Sequence, residues 1–487
     1  MRRIGIIFIV LMMLTLSVQP AFAADDGIKI AMLSDHDSLG FQSLVNSYMQ
    51  ETGVKVTIDF YDSVEDLNAV MNTQLMSSEG PDLIQGTDIP YWTFAERGVF
   101  ADIAQLMEND PDISISDFLP NIVEPLRGVN GELYIMPASF DFLYVALNDD
   151  LLERAGLAGG EWTLQTIMKD CIDFTKMSSE FPSTYAMSWG NEYLSQAVQN
   201  ELMSAIDFAN KTPEFDRVSD QIIEYIHNPE IISSEYGFAM AGLVGIYDIS
   251  NYLYFTYDMN LASYLEPATM IIFENNHYEI RNFPRNEDNK GECLYTPKLA
   301  FCINESGNKD GSWDLMKYLL SDEVQTGKGE PLYVIGNPVN IRASNMRMEL
   351  IREQIEEQAE VKRQGGHPNG RLAGSKHGAD DYVPLMNRYI DIYTELRANL
   401  TTPVLNDINL KENIVSSITS SPKLNVSQMR KEMTRIANVY FGEEGGDIES
   451  GYTVIYVVIG VIIGIAAVGI LLSILRKRKS TGVKREQ

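Results

Sequence analysis

The sequence predicts an α/β fold built on a parallel sheet, spread over two or three domains, with a single apolar helix near the C-terminus. Three observations predict it. Short apolar runs alternate with helical stripes over residues 28–84, the pattern of strands joined by right-handed helical crossovers. The chain has 487 residues, too many for one hydrophobic core. Residues 452–475 carry no charge and run directly into Arg476-Lys477-Arg478-Lys479.

In chain order, Arg2 and Arg3 precede an apolar run over 4–18 and an Ala21-Phe22-Ala23 cleavage signal. Residues 1–23 therefore read as a secretory signal peptide. Residues 28–33 form a run short enough for a strand buried on both faces. Phe41, Leu44, Val45, Tyr48 and Met49 then line one helical face, and Gly53 is placed to cap it. Val54, Val56, Ile58 and Phe60 alternate as a strand. Ser63 caps a helix whose stripe is Leu67, Val70, Met71 and Leu75. Gly80-Pro81 ends that helix, and Asp82-Leu83-Ile84 opens a third strand. Ligands of open parallel sheets gather at the carboxyl ends of the strands. Here those ends lead into Ser34-Asp35-His36-Asp37, Tyr61-Asp62-Ser63 and Gln85-Gly86-Thr87-Asp88. Further on, residues 346–358, 382–400 and 426–440 read as helices.

The C-terminal stretch 452–475 is long enough at ~1.5 Å per residue to cross ~30 Å of hydrocarbon. The four cations after it keep residues 476–487 on the cytoplasmic side. Together with the signal peptide this predicts a single-pass cell-membrane protein whose N-terminal part lies outside, separated from the span by a polar tether over 442–451. A Gly460-x-x-x-Gly464 spacing within the span is only a weak pointer to helix pairing. Lys and Arg number 38 against 68 Asp and Glu, a net charge of −30. Such a surface meets phosphate with like charge, which excludes nucleic acid as a partner.

Four stretches in order resemble one family. The first runs from Pro81-Asp82-Leu83-Ile84 through Trp92, Ala95 and Gly98 to Phe100-Ala101-Asp102. The second joins Gly131-Glu132-Leu133-Tyr134-Ile135-Met136-Pro137 to Leu143-Tyr144-Val145-Ala146-Leu147-Asn148-Asp149-Asp150-Leu151. The third is Ala155-Gly156-Leu157 with Trp162-Thr163. The fourth runs from Lys309 through Trp313 to Ser321-Asp322-Glu323-Val324-Gln325. Over about residues 28–340 this pattern is similar to the maltose-binding-protein-like, family 1 group of extracellular solute-binding proteins of ABC importers. The resemblance implies a hinged, two-lobed periplasmic-binding-protein-like fold of type II. Lobe 1 would comprise 24–140 and 283–335, lobe 2 would comprise 141–282 and a helical 336–441. The crossings fall near Ser139–Asp141, Asn282–Pro284 and Gly336–Pro338. It also implies a carbohydrate ligand, permease subunits in the membrane as partners, a monomeric ectodomain, no cofactor and no catalysis.

Sugar rings stack on aromatic faces, and their hydroxyls pair best with the side chains of Asp, Asn and Arg. Carried over residue by residue, the resemblance points to Asp35 and His36 after the first strand and to Thr87 and Asp88 after the third. It adds Asp141 at a crossing, Trp189 in the second lobe, and Tyr247 near Ala239-Met240 and Gly245. Asp35 and Asp88 are equally suited to capping helices, and Asp141 to a hinge hydrogen bond. Trp92, Trp162 and Trp313 read as core or lobe-surface residues. Cys171 reads as an inert core residue. Cys293 and Cys302 can bridge if the segment between them bends into adjacent strands. No metal-ligand spacing is present. A glycosidase would need two carboxylates at a set separation, and among so many acids a close pair such as Asp35/Asp37 carries no information. A sensor, or a binder of polyamine, peptide or ferric ion through Tyr252, Tyr254 and Tyr257, stays open as an alternative.

Overall fold

The structure, a computed structural model, describes residues 27–34, 38–75, 80–177, 179–182, 184–187, 191–227, 251–259, 278–289, 291–327, 336–365, 378–405, 407–420 and 424–442. The chain opens with β1 (Ile28–Leu33), α1 (Ser38–Thr52), β2 (Val56–Tyr61), α2 (Val64–Gln74) and β3 (Leu83–Gln85). β1 pairs in parallel with β2 on one side and β3 on the other. The local causes are those legible in the residues. Phe41, Leu44, Val45 and Tyr48 bury one face of α1. Gly53 ends the helix at φ +74°, where only glycine is unstrained. The Ser63 side chain accepts the Asp66 backbone N–H at 3.1 Å to start α2. β2 begins at Val56 and not at Val54, and Phe60 stands 39% exposed. As the outermost strand of the sheet, β2 is half-solvated.

After α3 (Tyr91–Glu96) and α4 (Ile103–Glu108) comes β4 (Met136–Asn148), the strand on which the architecture turns. Asn148 ends it and caps α5 (Asp149–Arg154), its Oδ1 accepting from Leu151 N at 3.0 Å. There follow α6 (Leu164–Lys176), β5 (Tyr185–Met187), α7 (Asn191–Ser204), the short pair β6 (Ile206–Asp207) and β7 (Thr212–Pro213), and α8 (Asp220–His227). Next are β8 (Tyr252–Met259), β9 (Tyr278–Asn282), β10 (Cys293–Ile303), α9 (Lys309–Leu320) and α10 (Asp322–Thr326). The chain closes with β11 (Asn337–Pro338), α11 (Ile341–Arg363), α12 (Ala379–Ala398), β12 (Leu400–Pro403), α13 (Ile408–Thr419) and α14 (Val426–Phe441). α13 was not expected from the sequence.

The sheet order is β2-β1-β3-β10-β4-β8-β5, with β9 and β11 also on β4 and β12 on β10. β10 runs antiparallel to β3, Cys302 opposite Ile84. The first half of β4 pairs with β10 and β11, the second half with β8 and β9. One strand thus belongs to two sheet halves. Phe41 and Phe301 stack at 5.1 Å between ring centroids in the core of the first half. Cys293 and Cys302 lie at the two ends of β10. At ~3.3 Å per residue they stand about 30 Å apart, far beyond the ~7 Å that a bridge spans. The expected pairing is corrected: the segment does not bend, and both thiols are free.

The expected signal peptide, tether, span 452–475 and basic tail lie outside the described residues. The expected single-pass location is corrected as well. Among the described residues no helix is long and apolar enough to cross a membrane.

Candidate functional site

The three expected crossings come together around β4. Asn337 and Pro338 of β11 lie opposite Phe140 and Ser139. Phe283, just past β9, donates its N–H to the Leu143 carbonyl at 3.2 Å. Two buried amides clasp this region. Asn337 Nδ2 donates to the carbonyls of Phe140 (3.0 Å) and Met259 (2.7 Å). Gln325 Nε2 donates to the Ala138 carbonyl at 2.6 Å, and its Oε1 accepts from Val339 N at 3.0 Å. Side-chain amides suit this task because one group supplies donor and acceptor to unpaired backbone.

At the carboxyl end of the first sheet half, Gln85 is buried and its Oε1 accepts the Leu33 N–H at 2.9 Å, fixing the ends of β1 and β3 together. Gly86 follows and donates to the Ala300 carbonyl at 2.8 Å. A Cβ at Gly86 would stand 2.7 Å from Cys302 Sγ, so the turn admits no side chain there. That tight passage delivers Thr87, buried, and Asp88, half-buried, to the strand end, with Thr87 Oγ1 donating to Asp88 Oδ2 at 2.8 Å. Lys411 on α13 lies within electrostatic reach of Asp88. Burial pushes the Lys411 ammonium below its ordinary range, and the Asp88 carboxylate resists that shift. Lys411 escaped sequence reasoning because its helix did. The signal present was Asp407, an N-cap accepting from Leu410 N at 2.9 Å, followed by Leu410, Ile414 and Ile418 on one buried face.

Asp141 lies opposite Thr296 of β10. Its Oδ1 is packed against Gly336, where a Cβ would come within 2.9 Å and where φ is +92°. Tyr393 of α12 is its neighbour. Burial raises the Tyr393 phenol well above its usual range, Arg397 and Arg347 oppose that, and Asp141 adds to it. A cavity of about 40 Å³ opens beside the crossing strands, lined among others by Asp141, Gln196, Asn200, Glu201, Asn282 and Thr296. That volume suits an ordered water, not a sugar ring. Behind it, the fully buried Glu201 carboxylate accepts from Arg285 Nε at 2.8 Å and from Asn289 Nδ2 at 2.7 Å.

Of the expected ligand residues, Thr87 and Asp88 stand together, and Asp141 stands apart at the crossing. Asp35, His36, Trp189 and Tyr247 lie outside the described residues. Trp313 donates Nε1–H to Asp110 Oδ2 at 2.8 Å, and Trp162 donates to the Asn282 carbonyl at 3.1 Å, with Arg281 over its ring at 5.1 Å. Of the tyrosines considered for ferric ion, Tyr254 is occupied otherwise. Tyr254 is buried and its hydroxyl donates to Asp170 at 2.6 Å. Burial first, and that carboxylate next, hold it protonated, the opposite of what a phenolate ligand needs. Among the described residues no cluster of side chains has the makings of a metal site.

Comparison with known proteins agrees with this architecture. The chain is similar in structure to an ABC substrate-binding protein of Listeria monocytogenes solved in complex with cycloalternan. The identity is 13% and the TM-score 0.51, over 85% of this chain and 99% of that one. It is also similar to a protein of Synechococcus sp. MITs9220 described as an oligosaccharide periplasmic-binding protein. There the identity is 14% and the TM-score 0.52, over 86% and 100% of the two chains. At such identities the likeness is one of fold. A search of curated proteins finds no match. The family model for bacterial extracellular solute-binding proteins matches residues 36–326, which also replaces the expected membrane-anchored location by an extracellular one. A mixed α/β chain in which one strand serves two sheet halves, matched over most of its length by that model, belongs to the bacterial extracellular solute-binding protein family.

Proposed function

We propose that the protein captures a saccharide, an oligosaccharide by preference, between two hinged lobes and delivers it to the permease subunits of an ABC transporter. The observation that carries this reading is β4. One strand pairs with β10 and β11 through its first half and with β8 and β9 through its second, while the chain crosses twice more beside it. Such a bundle of crossings permits closure by small changes in a few residues. The lobes of this reading are 24–140 with 283–335, and 141–282 with 336–441. Asp35, His36, Thr87 and Asp88 would serve the ligand from the first lobe, Trp189 and Tyr247 from the second, with Asp141 at the crossing. The cycloalternan bound by the Listeria protein and the oligosaccharide description of the Synechococcus protein favour a sugar ligand.

The test is a thermal-shift screen of the purified protein against mono- and oligosaccharides, polyamines and peptides. A ligand at a hundred times its Kd adds about 2.7 kcal/mol to stability. A shift with an oligosaccharide is the expected result. Shifts with polyamine or peptide alone would overturn the sugar reading.

A further inference from the structure

One ion pair joins the short helix α3 of the first lobe to the second lobe. Glu96, its last residue, meets Lys211 Nζ at 2.5 Å. Asp88, just before it, acts electrostatically on Lys411 of α13. The acids come from the first lobe. Lys211 sits in the turn between β6 and β7, which follows α7. Lys411 belongs to α13, which is tied to the second lobe where His227 Nδ1 of α8 meets the Ile418 carbonyl at 2.9 Å.

Neither member of the Glu96–Lys211 pair is placed for the benefit of its own element. An acid in the last turn of a helix opposes the helix dipole. Lys211 is one of two non-glycine residues with positive φ among the described residues, at +56°, a conformation that disfavours side chains. The turn holds it there: Asp207 accepts from Asn210 N at 2.9 Å and from Asn210 Nδ2 at 2.8 Å, and Thr212 Oγ1 donates to the Asn210 carbonyl at 3.0 Å. Two locally unfavourable choices that meet in one ion pair point to a shared purpose across the gap. The pairing also runs against composition, since lysine and arginine are outnumbered 38 to 68.

We infer that Glu96 and Lys211 form an electrostatic latch that draws the two lobes together before any ligand arrives. The inference rests on the two-lobed reading above, but not on the identity of the ligand. Its consequence is that closure weakens with salt, because half-exposed charges are screened within a Debye length of ~10 Å at 0.1 M. Opening without ligand is then controlled from the rim of the cleft as well as from the hinge.

The experiment is a distance measurement by pulsed electron resonance on the ligand-free full chain. Spin labels go at Val129→Cys in the first lobe, 64% exposed, and at Lys169→Cys in the second, 68% exposed. Cys171 and Cys302 are buried and escape labelling, and Cys293 is replaced by Ala. At low salt the latch predicts a dominant short-distance population. Lys211→Glu should lower the ratio of short to long distances about two- to five-fold, the range for an exposed ion pair. The double exchange Glu96→Lys/Lys211→Glu should restore it, and about 0.5 M salt should reproduce the loss in the parent. Lys211→Met, which keeps the side-chain stem, should behave as a weaker Lys211→Glu. An unchanged distribution in Lys211→Glu, or a double exchange no better than the single one, overturns the latch. No sugar is present, so this result is independent of the thermal-shift screen.

Discussion

Removing the Glu201 carboxylate tests whether the buried ion pair behind the crossing strands is a structural keystone. Glu201 and Arg285 have side chains 1% and 2% exposed. The carboxylate takes Arg285 Nε at 2.8 Å, Arg285 Nη2 at 3.3 Å and Asn289 Nδ2 at 2.7 Å. Glu201→Ala strands a guanidinium in a place with almost no water, a change that typically costs ~3–5 kcal/mol. Arg285 retains the Glu292 carboxylate, whose side chain is 43% exposed, at 2.6 Å, and the hydroxyls of Ser204 at 2.6 Å and Thr402 at 3.2 Å. That places the expected loss in the lower half of the range, about 3–4 kcal/mol. Urea unfolding of the ligand-free protein, followed by circular dichroism, reads it as a lower midpoint at unchanged slope. Glu201→Met/Arg285→Met supplies the control: removing both charges avoids the stranded cation and should recover much of the loss. A Glu201→Ala loss below about 1 kcal/mol would refute the reasoning, since it would mean that solvent reaches Arg285.

Gly86→Ala should destabilise by about 1–3 kcal/mol through overpacking against Cys302 Sγ and Ile135 Cδ1; Cys302→Ala in the same chain should relieve part of it in the same melting assay. Asp110 should show a pH signature. The Asp112 N–H, then Lys317 and Trp313, hold its carboxyl at about 2, below the usual 3.8. Its stabilisation is therefore complete above the usual range and lost as pH falls through about 2. The melting-temperature gap between the parent and Asp110→Asn should close over that window, and a constant gap would show that the bonds do not need the charge. Asp88→Asn, which can still accept the Thr87 hydroxyl, should weaken sugar binding by about ten-fold, the scale of a lost charged hydrogen bond, while leaving the unliganded melting temperature nearly unchanged. Equal affinity by calorimetry would remove Asp88 from the site.

The parts of the fold that could be read from the residues are those whose causes are local. β1, α1, α2 and β3 follow from apolar runs, a stripe at helical spacing and the Ser63 cap, all within a few residues of one another. β2 exposes the limit: alternation predicted Phe60 on the covered face, but its position outermost in the sheet leaves that ring exposed. The cysteines fail for the same reason. Whether the stretch from Cys293 to Cys302 bends is decided by its partners on β3, β4 and β12, none of which is near in sequence. At the candidate site, the placement of Thr87 and Asp88 at a strand end was legible because β3 and a glycine turn precede them. The electrostatic reach of Lys411 to Asp88 was not, because more than three hundred residues separate them in sequence. Asp141 was picked out by resemblance, while the enclosure of its Oδ1 against Gly336 depends on a segment that only the fold brings there.

The antiparallel pairing of β10 with β3 bears on how the protein is made. Asn304 donates to the Pro81 carbonyl across 223 residues of sequence. β10 supplies the strand between β3 and β4. β12, which contributes Leu400 to the same core, arrives about a hundred residues later. A ribosome therefore releases all of β5 to β9 before the first sheet can close. The early strands wait with an open edge, and loop-closure entropy makes their completion slow. The unfilled gap between β3 and β4 is meanwhile a template for the wrong strand.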